Sequence, residues 1–301
     1  MDVLVDYQGA WGLGDLLCSD PLMLGLVERY GADTRLFVRG KHGNVRHNPL
    51  VHGEATAGQS FDHVVAVRLF THMPKDEFAA LEAMPSLIDH MCSYGNVQPS
   101  DRRPQLWLTE SERRRAEQLA LPAGIRIAIC ADHLDPLRHW PVQRWQQVAE
   151  ALQAAGAHVV EIGSSNRLGV GTDLVGRLSI RETAAVLERC HLFAGNNSGP
   201  FHYAQAAGTP CVTLFSLATP ERFFHPGARV HPVQAEGLPC LGCMSRCFAS
   251  MQKTGCIASP RGRCMTDIPI EAVLDAIERA LASEQQGPPR QLDPPALSSG
   301  V

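Results

Sequence analysis

The feature that most constrains this chain is a regular alternation of short apolar runs and amphipathic stretches between Gly124 and Phe215. Residues 125–130 (IRIAIC) read as a buried strand, and the loop ADHLDPLRHWP follows. Trp145, Val148, Ala149 and Leu152 then recur at i, i+3, i+4 and i+7, the spacing of one helix face. Gly156 ends that helix, and 158–162 is the next strand. Ser179-Ile180-Arg181-Glu182 has the form of a capping box and opens a second helix to about Cys190. Strand 192–194, loop NNSGP, short helix 201–207, the stop Gly208-Thr209-Pro210 and strand 211–215 complete the series. Strands and helices alternating at this spacing imply a parallel sheet covered by helices on both faces.

A less regular version of the same pattern precedes it. Residues 3–5 form an apolar run, the loop GAWGLGD follows, and a helix is predicted over 16–30 with Gly31 at its end. Strands are predicted over 34–38 and 64–69. The segment PQLWLTESERRR reads as the connection between the halves. The expected organisation is an α/β domain over 1–120, a second over 121–283 with a Cys-rich loop at 238–265, and a disordered tail over 284–301. Ile270, Val273, Leu274, Ile277 and Leu281 mark an amphipathic C-terminal helix, and the tail is Pro-rich.

Composition narrows the function. A formal net charge of −4 with interspersed signs gives no basic stripe for nucleic acid. No window is apolar enough for a membrane span, and the first residues lack a secretory pattern, so a cytoplasmic protein is expected, with peripheral membrane contact left open.

Ligands of open α/β sheets bind at the carboxyl ends of strands, often against helix N-termini. Three loops have that placement. In Gly12-Leu13-Gly14-Asp15 the glycines allow close backbone approach, and Asp15 is either a helix cap or a general base. The loop lacks the third glycine of a dinucleotide fingerprint. Arg138, in Arg138-His139-Trp140-Pro141, stands before a helix, where it is either an exposed arginine or a phosphate ligand. Trp140 and Trp145 are expected to pack. In Asn197-Ser198-Gly199-Pro200, with His202 one turn on, a helix start offers backbone N–H groups to an anion such as a diphosphate.

These residues resemble a known family. GNNSGPFHYAQAAGTPCVTLF, RHWPVQRW and GLGDLLCSDPLMLGL are similar, in order and approximate spacing, to the motifs of glycosyltransferase family 9, the bacterial heptosyltransferases. The resemblance implies a GT-B fold, two Rossmann-like domains facing across a cleft, with the acceptor side first and the nucleotide-sugar side second. It implies inverting transfer of heptose from ADP-heptose to a glycan or protein hydroxyl, without a catalytic metal. By position it makes Asp15 the base. It makes Arg138 the cation at the donor phosphates, together with Gly12, Gly14, Asn197, Ser198, Gly199 and His202, and it places Leu178 where a side chain packs near the base. Asn197 stands where the family usually has Asp, and the first domain is shorter than its counterparts. A catalytically weak nucleotide-sugar or metal-binding protein is the reading from another class.

Five cysteines, Cys240, Cys243, Cys247, Cys256 and Cys264, crowd one segment. They are either loose thiols packed beside the C-terminal helix or a thiolate site for structural Zn or Fe. In the second reading Cys240, Cys243, Cys256 and Cys264 are the ligands and Cys247 is spare. A related group, the autotransporter heptosyltransferases, has a cysteine-bound iron and a ring-shaped assembly. That resemblance adds protein O-heptosylation and a homo-oligomer to the expectations.

Overall fold

The structure is a computed structural model that describes residues 1–9, 12–40, 44–68, 85–133, 135–243, 256 and 262–286. Cys247 and the tail beyond residue 286 lie outside these residues.

Among the described residues two parallel sheets form. Strands β1 (Asp2–Gln8), β2 (Arg35–Gly40), β3 (Val51–Glu54) and β4 (His63–Arg68) stand in the order β3-β2-β1-β4. Strands β5 (Arg126–Cys130), β6 (His158–Ile162), β7 (Thr172–Asp173), β8 (Leu192–Asn196), β9 (Cys211–Leu214) and β10 (Val230–Val233) stand in the order β10-β9-β8-β5-β6-β7. Every ladder is parallel. Such strands are covered on both faces, and β8 and β9 are buried along their whole length. In each sheet the chain first builds outward on one side and then crosses to the other. The reversal falls between β1 and β4 and between β5 and β8, where open sheets leave a crevice at the strand carboxyl ends.

The helix predicted over 16–30 is two helices, α1 (Leu13–Cys18) and α2 (Asp20–Tyr30). Ser19 separates them: its hydroxyl donates to the Leu16 carbonyl at 2.6 Å and lies 2.6 Å from the buried Tyr7 hydroxyl. Pro21 then suits the first turn of α2. Helix α3 (Leu87–Ser93) completes the core around the first sheet. Around the second sheet lie α4 (Glu110–Gln118), α5 (Val142–Ala154), α6 (Ile180–Leu187), α7 (Gly199–Ala206), α8 (Arg263–Thr266) and α9 (Ile270–Gln286). Trp145, Val148, Ala149 and Leu152 of α5 share one core with Val273, Ala276, Ile277 and Ala280 of α9. Trp140 and Trp145 are fully buried and meet edge to face at 4.9 Å, so both pack as expected.

The segment between the sheets is anchored at both ends. Buried Asp20 of α2 accepts from the Gln105 backbone N–H at 3.0 Å, from Trp107 Nε1 at 2.9 Å and from Asn48 Nδ2 at 2.9 Å. Burial pushes its carboxyl up to about 6 despite those donors. Beyond it, Thr109 and Glu112 form a capping box at the start of α4, and Leu108 and Ala116 enter the second sheet's core. Part of the expected connection is thus a helix packed on the second sheet. Arg181, the second residue of α6, closes the arrangement. Its guanidinium donates to Glu112 at 2.6 and 2.8 Å, to the Trp107 carbonyl at 2.6 Å and to Asn44 Oδ1 at 2.5 Å.

Burial alone would raise the Glu112 carboxyl, but Arg181 and Thr109 outweigh it and hold the group down at about 2. A depressed carboxyl contributes stability that is present above its ordinary 4.5 and is lost as pH falls toward 2. Arg181→Met should therefore lower unfolding free energy by about 1–3 kcal/mol at neutral pH, the scale of lost hydrogen bonds to a charged group. Urea titrations of both proteins should show the gap narrowing as pH falls below 4.5. A gap independent of pH would separate the effect from Glu112.

Candidate active site

The carboxyl ends of β1, β5 and β8 each lead into one of the three loops singled out in the sequence. After β1 the chain reaches Gly12, the N-cap of α1, and Asp15 sits half-buried in the first turn. The Gly12 backbone N–H faces the Asp15 carboxylate, but Gly12 itself is the N-cap and the helix has no side-chain cap hydrogen bond. Burial nevertheless dominates. It pushes the carboxyl up to about 6, against the opposing pull of the Arg138 charge and the Gly12 N–H. A carboxyl held there is ionised at neutral pH and close to the range of an effective general base.

Opposite stands α7. Ser198 takes its N-cap position without a side-chain cap bond, and Pro200 lies in the first turn. The two helix starts touch. A Cβ added at Gly14 would lie 2.5 Å from His202 Cδ2 and 3.3 Å from the Gly199 Cα. The space opened by the missing side chain of Gly14 is therefore filled by the other half of the protein. A Cβ at Gly12 would lie 2.8 Å from Asp15 Oδ2, so Gly12 leaves room for the carboxylate.

Arg138 ends the 3-10 turn Pro136–Arg138 that follows β5, with its Nε 3.4 Å from Asp135 Oδ2. Its positive charge is felt at Asp15, His133 and His202. Burial and that charge hold both imidazoles down at about 4, so both are neutral at neutral pH. The partners of His133 assign its tautomer. Nε2–H donates to the Asn197 carbonyl at 2.9 Å, and Nδ1 accepts from the Asp135 backbone N–H at 2.9 Å. His133 thereby ties the Arg138 loop to the Asn197 loop.

At the ends of β8 and β9, Asn196 Oδ1, Asn197 Nδ2 and Thr213 Oγ1 are buried without a hydrogen-bond partner among the described residues. Orphaned polar atoms are uncommon in native interiors and call for an explanation such as a ligand or a catalytic role. Nearby, Asp132 accepts from the backbone N–H groups of Ser164, Ser165 and Asn166 and fixes the loop after β6.

Asp15, Gly14, Arg138, Asn197, Ser198, Gly199 and His202 thus gather around one seam between the sheets. Leu178 packs against the second sheet's core, next to α6. The sequence reading did not single out Cys18, His133, Arg181 or His225. Cys18 Sγ stands 3.4 Å from His202 Nδ1 and 3.5 Å from His225 Nε2, and the two ring nitrogens are 3.1 Å apart. All three residues are buried, and together they form a group that could hold a metal ion. No spacing rule finds them, because they come from three separate segments. Of the cysteine cluster, Cys240, Cys243 and Cys256 are half-buried and Cys264 is buried. Burial and the neighbouring Cys256, Cys243 and Cys240 thiols push the Cys264 thiol up to about 11, but among the described residues these cysteines do not come close enough together to form a metal-ligand group.

Residues 58–249 match glycosyltransferase family 9 (heptosyltransferase). The chain belongs to that family. Over 101 residues it is 31% identical to lipopolysaccharide heptosyltransferase 3 of Escherichia coli, and the matched stretch spans 29% of each chain. The fold is similar to that of a family 9 glycosyltransferase from Veillonella parvula, with TM-score 0.73, 16% identity and coverage of 94% of this chain and 97% of that one. It is also similar to TibC, an iron-containing dodecameric glycosyltransferase from enterotoxigenic E. coli, with TM-score 0.72, 17% identity and coverage of 95% and 80%. A second TibC structure, in complex with ADP-D-beta-D-heptose, covers 93% of this chain and 76% of that one at TM-score 0.71 and 17% identity. The family 9 member described here thus has a GT-B fold, with its two sheets facing across the seam. Among the described residues no helix is long and apolar enough to cross a membrane.

The Gly14 contact generates a prediction of its own. Gly14→Ala must push His202 or the α7 backbone aside, an overpacking cost of about 1–3 kcal/mol. Thermal unfolding should show a lower midpoint. An unchanged midpoint would mean that the helix starts do not meet as described.

Proposed function

We propose that this protein is an inverting glycosyltransferase that moves heptose from ADP-heptose to a hydroxyl of a glycan or protein acceptor. The observation that carries the reading is the convergence of a half-buried carboxyl with a raised pKa, Asp15, and a guanidinium, Arg138, from opposite sides of one seam. Displacement at an anomeric carbon needs a deprotonated acceptor, a stabilised leaving group and aligned reactants. Asp15 takes the acceptor proton. Arg138 and the first turn of α7 meet the charge that develops on the departing diphosphate. Among the described residues Asn197 Nδ2 and the Thr213 hydroxyl are unpartnered and available to donor oxygens, and Asn196 Oδ1 can accept from a sugar hydroxyl. ADP-heptose as the donor rests on family membership and on the ligand named for TibC.

Calorimetry with ADP-heptose tests the donor side. Arg138→Ala should weaken binding by roughly 1.5–3 kcal/mol, the scale of a hydrogen bond to a charged group. Unchanged affinity would remove Arg138 from the site.

The base is tested by pH. Only ionised Asp15 accepts a proton, so kcat/KM should climb through pH about 6 and level off above it. Asp15→Asn should abolish that limb and lower transfer by about 100-fold or more while leaving donor binding nearly intact. Donor binding and transfer falling together would make Asp15 structural. Donor binding without transfer or hydrolysis in the wild type would favour the binding-protein reading.

The crowding of Cys240, Cys243, Cys256 and Cys264 in one segment of the sequence, together with the likeness to TibC, supports a second acceptor reading, a protein hydroxyl, in an oligomeric enzyme of the kind TibC represents. Four thiolates suit a structural Zn or Fe and leave no open position for catalysis.

A further inference from the structure

The Cys18, His202 and His225 side chains come from opposite sides of the seam. Cys18 is the last residue of α1, beside the first sheet, whereas His202 lies on α7 and His225 just beyond the 3-10 turn Pro220–Phe223, beside the second. Their donor atoms form a triangle with edges of 3.4, 3.5 and 3.1 Å.

Hydrogen bonding alone cannot satisfy that triangle. A neutral imidazole nitrogen that carries a proton cannot accept, and one that lacks it has a single lone pair. The ring nitrogens therefore share one proton between them, and the lone pair that accepts it is the same one the Cys18 thiol would need. One edge always lacks a good bond. A cation instead uses the lone pairs of all three atoms. Around a tetrahedral ion with Zn–S of about 2.3 Å and Zn–N of about 2.05 Å, adjacent S and N ligands stand roughly 3.5 Å apart and two N ligands roughly 3.3 Å. The triangle is within a few tenths of an ångström of that geometry.

We propose that Cys18, His202 and His225 bind one borderline divalent cation, zinc in the first place, which clips the two halves of the protein together at the α1–α7 contact. Binding releases one proton, from the Cys18 thiol, and leaves a fourth coordination position open. A thiolate with two imidazoles suits zinc better than the harder magnesium or calcium ions. The site is separate from the thiol cluster at Cys240, Cys243, Cys256 and Cys264, and it does not depend on the donor assignment.

The test uses the full chain purified after growth in zinc-supplemented medium, with metal content by elemental analysis and zinc K-edge absorption on the wild type. About one zinc per chain with mixed sulfur and nitrogen ligands and clear imidazole scattering is expected. A site built from the other cysteines has sulfur ligands only, so the two are distinguished in one spectrum. Cys18→Ser and His225→Gln should each remove that equivalent from protein whose circular dichroism is unchanged, whereas Cys240→Ser should not. Sulfur-only zinc, or zinc-free protein whose melting temperature responds to neither zinc nor a chelator, overturns the proposal. Should both variants fail to fold, the wild-type spectrum decides by itself.

Discussion

Two helix starts meet at the seam, and the backbone of one half touches that of the other where Gly14 faces Gly199 and His202. This contact sets the distance between the sheets. It admits no side chain at Gly14, and it brings the first turn of α1, with Asp15, to the same place as the first turn of α7. Leu17 follows on α1 and enters the core of the second sheet, among Phe201, Tyr203 and Phe215, while Leu16 stays in the first. A single short helix therefore contributes to both cores. Its six residues would be marginal alone, so tertiary packing holds it.

The electrostatics of the seam follow from that closeness. Asp15 loses hydration, which raises its pKa, yet Arg138 limits the rise. The same guanidinium, together with burial, keeps His133 and His202 neutral. Burial sets these protonation states and the Arg138 charge adjusts them, leaving an ionised carboxylate beside neutral imidazoles at neutral pH. His133 uses its neutral state structurally, donating from one ring nitrogen and accepting at the other to join two loops.

How much of this the sequence discloses depends on how local the cause is. The second sheet is legible because parallel strands need continuous apolar runs, and 125–130 and 211–215 supply them. The helix at 142–154 is legible from four apolar positions on one face, and the helix at 180–187 from its capping box. Strand β3 is not: VHGE alternates half-buried and exposed residues and carries a glycine. Strand β10 includes Pro232, and β7 spans only two residues. The break between α1 and α2 interrupts an otherwise continuous apolar pattern, and part of what holds it, the Tyr7 hydroxyl against Ser19, comes from β1. For the site, helix-start placement drew attention to the loops of Asp15, Arg138 and Asn197–Gly199, and only the resemblance to glycosyltransferase family 9 gave those residues roles. Cys18 is 184 residues from His202 and 207 from His225, so only the folded chain brings them together.

The seam also carries features that weaken the free protein. Among the described residues Asn196 Oδ1, Asn197 Nδ2 and Thr213 Oγ1 are buried without partners, and an unmet buried polar group costs about 1–3 kcal/mol. Asp15 ionises there against its desolvation, and its raised pKa means that this cost is absent while both states are protonated and complete above pH about 6. Such costs persist in a fold when the ligand supplies what the protein lacks. In the proposed reaction a nucleotide sugar is what would bring hydroxyl and phosphate oxygens to these amide and hydroxyl groups, and an acceptor hydroxyl its proton to Asp15. Binding energy then goes into interactions the free protein leaves unmade. Donor at 100 times its Kd adds about 2.7 kcal/mol to stability by mass action alone.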